Sequence, residues 1–95
     1  MKNTKEMKLI EGHFSPDEAR EILNNVFFSK INFHNIKNWS SNERFGTDDA
    51  IAQKRIPELR KSMIVISELI ESAKQNNETL KITSEVKIQV SKSKI

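Results

Sequence analysis

Hydrophobic positions in this chain follow two different rhythms. From residue 80 to residue 90 they alternate: Leu80, Ile82, Val86, Ile88 and Val90 are separated by Lys81, Thr83, Glu85, Lys87 and Gln89, with Ser84 the gap in the apolar set. A period of two puts the apolar set on one face, which predicts a half-buried strand. Upstream, Ala52, Ile56, Leu59, Met63, Ile66, Ile70 and Ala73 are spaced 4, 3, 4, 3, 4, 3. That is a heptad seam, and it predicts one long helix packed along another. Ile64, Val65 and Leu69 lie off the seam, so this helix must touch more than one neighbour. Pro57 falls inside the pattern, where it lacks an amide proton and crowds the carbonyl four residues back. Either the helix kinks near residues 53–57 or a short helix ends before Ile56; the unbroken phase of the seam favours a kink. Gln75-Asn76-Asn77-Glu78 ends the helix, since asparagine tolerates the left-handed cap.

The first half of the chain predicts a second helix. Ser15-Pro16-Asp17-Glu18 combines an N-cap serine, a proline at the first helical position and the glutamate of a capping box. Ala19, Ile22, Leu23, Val26 and Phe27 then repeat at helical spacing, Phe33 and His34 fall back on the same face, and Phe28 points away. This helix is expected to reach about Asn35. Residues 36–47 are polar and turn-prone, and read as an ordered loop pinned by Ile36, Trp39 and Phe45. Gly46 precedes the seam helix, with Thr47 or Asp48 as its N-cap and Asp49 in its first turn. Residues 6–11 alternate only roughly and read as a short strand broken by Gly12-His13. The expected fold class is therefore α+β in β-α-α-β order, a two-helix antiparallel hairpin on a small antiparallel sheet. Residues 1–95 form one small domain, with 1–5 and 92–95 as disordered tails.

Composition sharpens one point in this picture. Hydrophobic residues make up 36% of 95 residues, too few for a generous core in a chain that buries only about 60–65% of its unfolded surface. The strong strand has a poor partner in residues 6–11, and an isolated two-stranded ribbon is marginal in water. A second copy of the chain supplies the missing strands about a two-fold axis. The expected dimer interface comprises Ile64, Val65, Leu69, Val86 and Ile88.

Charge and chemistry narrow the function classes. Sixteen Lys+Arg against thirteen Asp+Glu give +3 and a pI near 9.3, with the excess at the two ends of the chain. Lysines there serve solubility and edge protection, or contact with nucleic acid. No cysteine is present, which excludes disulfides and thiolate chemistry and fits a reducing cytoplasm. Met1 to Glu6 lack the apolar stretch of a secretory signal, and Met63-Ile64-Val65-Ile66 is far short of a membrane span, so no membrane partner is expected. His13 and His34 show no paired ligand spacing, and Asp48-Asp49 are explained by a helix first turn, so no metal and no cofactor are expected. Only Gly12 and Gly46 are glycines, which leaves no phosphate-cradling loop, and no serine sits in a nucleophile elbow. The chain is not expected to be an enzyme. The candidate contact surface is Trp39, Arg44 and Phe45 with Lys54, Arg55, Arg60 and Lys61. It could meet another protein or, stacking on its aromatics, single-stranded nucleic acid.

Phe14-Ser15-Pro16-Asp17-Glu18-Ala19, Ile31-Asn32-Phe33-His34 and Arg55-Ile56-Pro57-Glu58-Leu59-Arg60 resemble segments of a group of small uncharacterised bacterial proteins. The resemblance covers most of the chain and is structural in kind. It implies no activity, site or cofactor. The expected function is a non-enzymatic, homodimeric interaction or adaptor module of the cytoplasm; the alternative is a nucleic-acid-binding accessory protein.

Overall fold

A computed structural model describes residues 3–92. Its elements run β1 (Thr4–Phe14), α1 (Pro16–Phe45), α2 (Ala50–Gln75) and β2 (Leu80–Gln89). The fold is α+β in β-α-α-β order, with β1 and β2 paired antiparallel.

Helix α1 begins as its sequence predicts. The Ser15 hydroxyl accepts from the Glu18 amide at 3.2 Å and the Glu18 carboxylate accepts from the Ser15 amide at 2.9 Å, a reciprocal capping box. Its end lies ten residues beyond the expected Asn35. The helix runs through residues 36–45 and stops at Gly46, whose φ of 68° and amide bond to the Asn42 carbonyl form a left-handed cap. The expected loop is therefore helix, and its polar residues have another task. The Asn38 side-chain oxygen accepts from the Asp49 amide at 2.8 Å, Ser41 Oγ donates to the Thr47 carbonyl at 2.8 Å, and Asn42 Nδ2 donates to Asp48 at 2.9 Å. Residues that disfavour a helix in isolation here clamp the tight α1–α2 connection. The N-cap of α2 is Asp49, one or two residues later than expected, accepting from the Ala52 amide at 2.9 Å.

Helix α2 is continuous across Pro57, so no short first helix precedes it. Every residue of the 4-3 seam is buried or half-buried. Opposite it, α1 presents Leu23, Phe27, Ile31, His34 and Asn38. Arg20–Glu71 at 3.2 Å, Asp17–Lys74 at 3.7 Å and Asn38–Gln53 at 3.4 Å fix the antiparallel register. After α2, Asn77 adopts φ 54° and the Glu78 amide bonds back to the Ala73 carbonyl.

Strand β1 is longer than the expected residues 6–11, so β2 does not lack a partner in its own chain. Thr4 pairs with Gln89, Met7 with Val86, Ile10 with Ser84 and Phe14 with Leu80, so β2 has a partner along its whole length within its own chain. The rough alternation of Met7, Leu9 and Ile10 reflects a bulge: the register shifts between Lys8 and Ile10, with Leu9 as the extra residue. The shift brings Met7, Ile10 and Phe14 onto one face with Val86, Ile82 and Leu80. The other face pairs Glu6 with Lys87 and Lys8 with Glu85. Of the expected tails, residues 1, 2 and 93–95 lie outside the described residues, while Thr4 and Lys5 are in β1.

The hairpin covers little of the sheet. Contacts between the two are sparse and come mostly from α1. Phe14 and Leu80, nearest the helices, are half-buried; Met7, Ile88 and Val90, farthest away, are exposed. The radius of gyration is 17.0 Å, against about 12–13 Å for a compact chain of this length. The long axes are 51 and 39 Å and the thickness only 15 Å.

Candidate interaction surface

The expected contact residues are all exposed, but they do not form one patch. Trp39 and Phe45 are 66% and 73% exposed, so they are not anchors of a loop. Trp39, Arg44 and Phe45 lie on the last turns of α1, and Lys54 and Arg55 on the first turns of α2. At about 100° per residue, Lys54 and Lys61 share the side of α2 turned away from α1, while Arg55 and Arg60 fall to either side of the seam. Arg55 is also held by Glu58 at 2.8 Å. A shallow groove beside the connection is lined by Lys37, Ser40, Ser41, Arg44, Phe45 and Asp49.

The expected dimer residues divide in the same way. Ile64, Val65, Leu69 and Ile88 are exposed and Val86 is half-buried. Val65 and Leu69 lie on one broad face of the hairpin; Ile64 is about 100–140° round the helix from them. One contact surface can take Val65 and Leu69 and leave Ile64 to solvent. The two broad faces are chemically unlike. The cross-helix pairs Arg20–Glu71 and Asn38–Gln53 lie on Ile64's side, whereas Val65 and Leu69 sit across from Ile22 and Val26 of α1 on the other. A wider groove on α2, lined by Glu58, Lys61, Ser62, Val65 and Ile66, opens beside that apolar face.

A further feature of α1 emerges once the helix is seen to continue to Phe45. Ile22, Val26, Ser29, Phe33, Ile36 and Ser40 are spaced 4, 3, 4, 3, 4, and all but Ile22 and Ser40 are exposed. They form a second heptad row, turned about 130° from the row that meets α2. Lys30, Lys37 and Arg44 recur every seven residues along its border. Lys30 and Lys37 lie over the Phe33 ring, 4.8 and 5.9 Å from its centre. Ending α1 at Asn35 hides this row; the 4-3 spacing was its signal in the sequence.

His34 is buried between the helices and its Nε2 has no hydrogen-bond partner. His13 lies in β1 opposite Lys81. Among the described residues, no group of three or more His, Cys, Asp or Glu is placed to hold a metal ion. None of the helices is long and apolar enough to cross a membrane. No protein-family model matches the chain, and neither a curated protein nor a solved structure gives a significant match.

Proposed function

We propose that this chain is a non-enzymatic protein-interaction module that acts as a homodimer in the bacterial cytoplasm. The observation that carries this reading is excess surface. The chain exposes 7887 Å², whereas a compact monomer of 11.0 kDa exposes about 5,600 Å². The difference, about 2,300 Å² per chain, matches what a protomer contributes to a large obligate interface, about 1,000–2,500 Å². The absence of cysteine fits a reducing compartment, and the bacterial part of the reading rests on the resemblance to small bacterial proteins.

The edge of β2 is the preferred place for the second copy. The Val90 amide donates to the Asn3 carbonyl at 3.0 Å, so even-numbered residues of β2 bond towards β1. Lys81, Thr83, Glu85, Lys87 and Gln89 then direct their backbone groups outward. The β1 edge is interrupted by the bulge at Leu9, which discourages pairing; the β2 edge is regular over ten residues. Charge selects a register. A two-fold axis at Glu85 sets two carboxylates opposite each other. An axis at Val86 sets Glu85 opposite Lys87 of the partner subunit, twice. The result is a four-stranded sheet with a continuous apolar face.

Sedimentation equilibrium tests this reading. The expected mass at micromolar concentration is twice 11.0 kDa. Glu85→Pro removes an outward amide and no β1–β2 ladder donor, and should release folded monomer. A wild-type chain that stays monomeric across the accessible range contradicts the proposal.

A further inference from the structure

The second heptad row of α1 is an exposed apolar strip bordered by cations. A row of Ile22, Val26, Ser29, Phe33, Ile36 and Ser40 at 4-3 spacing is the geometry that receives another helix, with the serines allowing close approach. Taking Val26, Phe33 and Ser40 as a and Ile22, Ser29 and Ile36 as d, the e positions are Leu23, Lys30, Lys37 and Arg44. The g positions are Glu18, Asn25, Asn32 and Trp39. Three successive e positions are therefore cations. The ion pairs among the described residues are Lys8–Glu11, Arg20–Glu71, Arg55–Glu58 and Lys74–Asp17, and none of them uses this row.

A second copy of α1 does not satisfy the row. Antiparallel pairing brings e against e, which sets cation against cation. Parallel pairing brings e against g, which offers Asn25, Asn32 and Trp39 to the cations and no carboxylate beyond Glu18, itself bonded to the Ser15 amide. The cations are also placed to act. The Lys30 and Lys37 ammonium groups sit over the Phe33 ring, so both charges stand at the row itself.

We propose that this face of α1 binds an amphipathic helix of a different protein, one whose apolar stripe is flanked by Asp or Glu at heptad spacing. The row lies on α1 and the proposed pairing edge on β2, so different variants test the two proposals.

Trp39, the single tryptophan of the chain, borders the row and reports binding through its fluorescence. The probes are two synthetic helices of about four heptads with leucine at a and d, one carrying Glu and the other Lys at e and g. The Glu helix should shift Trp39 emission to the blue and bind more weakly as salt rises; the Lys helix should not bind. Phe33→Ala and Lys37→Glu, both at exposed positions, should each weaken the Glu helix several-fold. Combined reversal of Lys30, Lys37 and Arg44 to Glu should weaken it by roughly tenfold or more and switch preference to the Lys helix. If the combined variant does not fold by circular dichroism, the two single variants decide. Failure of the Glu helix to bind at millimolar concentration, equal binding of both helices, or unchanged affinity in Phe33→Ala and Lys37→Glu overturns the proposal. So does an oligothymidine or an anionic phosphatidylserine vesicle that binds more tightly than the Glu helix, since the row would then be a site for phosphate.

Discussion

Replacing Ile70 by alanine removes the largest fully buried side chain among the described residues, one that is 1% exposed in the C-terminal half of the α2 seam. Three carbons are lost. At about 0.8 kcal/mol per buried methylene, transfer alone accounts for about 2.4 kcal/mol. The cavity left behind raises the expected cost to about 2–5 kcal/mol. A domain of this size shifts its melting midpoint by about 4–8 °C per kcal/mol, so Ile70→Ala should melt roughly 8–40 °C below the parent. Few large side chains share this core; Ile31, Leu59 and His34 are the other buried ones among the described residues. No neighbour can easily collapse into the gap, so the upper half of the range is expected. Thermal and urea unfolding followed by circular dichroism read the effect. The adjacent Leu69 is the internal control, being 60% exposed in the single chain. In a monomer Leu69→Ala should cost less than about 0.5 kcal/mol. In a dimer that covers this face it should cost about 1–3 kcal/mol and make the midpoint depend on protein concentration. An Ile70→Ala protein that melts with the parent refutes the helical hairpin as the core.

Three smaller substitutions test individual devices by the same unfolding measurement. Ser15→Ala removes one half of the capping box and should cost about 0.5–2 kcal/mol; an unchanged midpoint speaks against the cap. Gly46→Ala meets no neighbouring atom but forces a β-carbon into φ 68°, and should cost about 1 kcal/mol from backbone strain alone. His34→Leu removes a buried Nε2 that has no partner and should leave stability unchanged or raise it; a loss beyond about 1 kcal/mol shows that the imidazole has a partner.

The parts of the fold legible in the sequence are those where one signal acts alone. The α2 seam and β2 are strong periodic patterns, and their apolar positions are buried or half-buried except at the far end of the sheet. The Ser15 cap is local chemistry, and it forms with the expected partners. Two readings failed where tertiary contacts outweigh composition. Asn38, Ser41 and Asn42 look like loop residues because their side chains compete for backbone groups. In the folded chain they use that capacity on the α1–α2 connection while remaining helical. Residues 4–14 look like a weak strand because a bulge at Leu9 shifts the phase of alternation, which a strict period-two template rejects. A helix that ends at Asn35 hides the row running from Ile22 to Ser40 and the regular recurrence of Lys30, Lys37 and Arg44. The basic residues of α2 read as one cluster in the sequence because they are neighbours in the chain. Helical geometry spreads them round the axis, and nucleic-acid binding through them loses its main support.

The pairing of β2 with a second copy is tested most directly by residue-resolved amide hydrogen exchange. Within one chain, the even-numbered amides of β2 from Ile82 to Ile88 bond towards β1 and should exchange slowly. Lys81, Thr83, Glu85, Lys87 and Gln89 point outward and should exchange quickly if the edge is free. A dimer centred on Val86 protects the odd-numbered amides from Thr83 to Gln89 as well, and dilution below the dissociation constant should release them while the even set stays protected. Fast exchange of the odd set beside slow exchange of the even set, at every accessible concentration, would show an unpaired edge and contradict the homodimer.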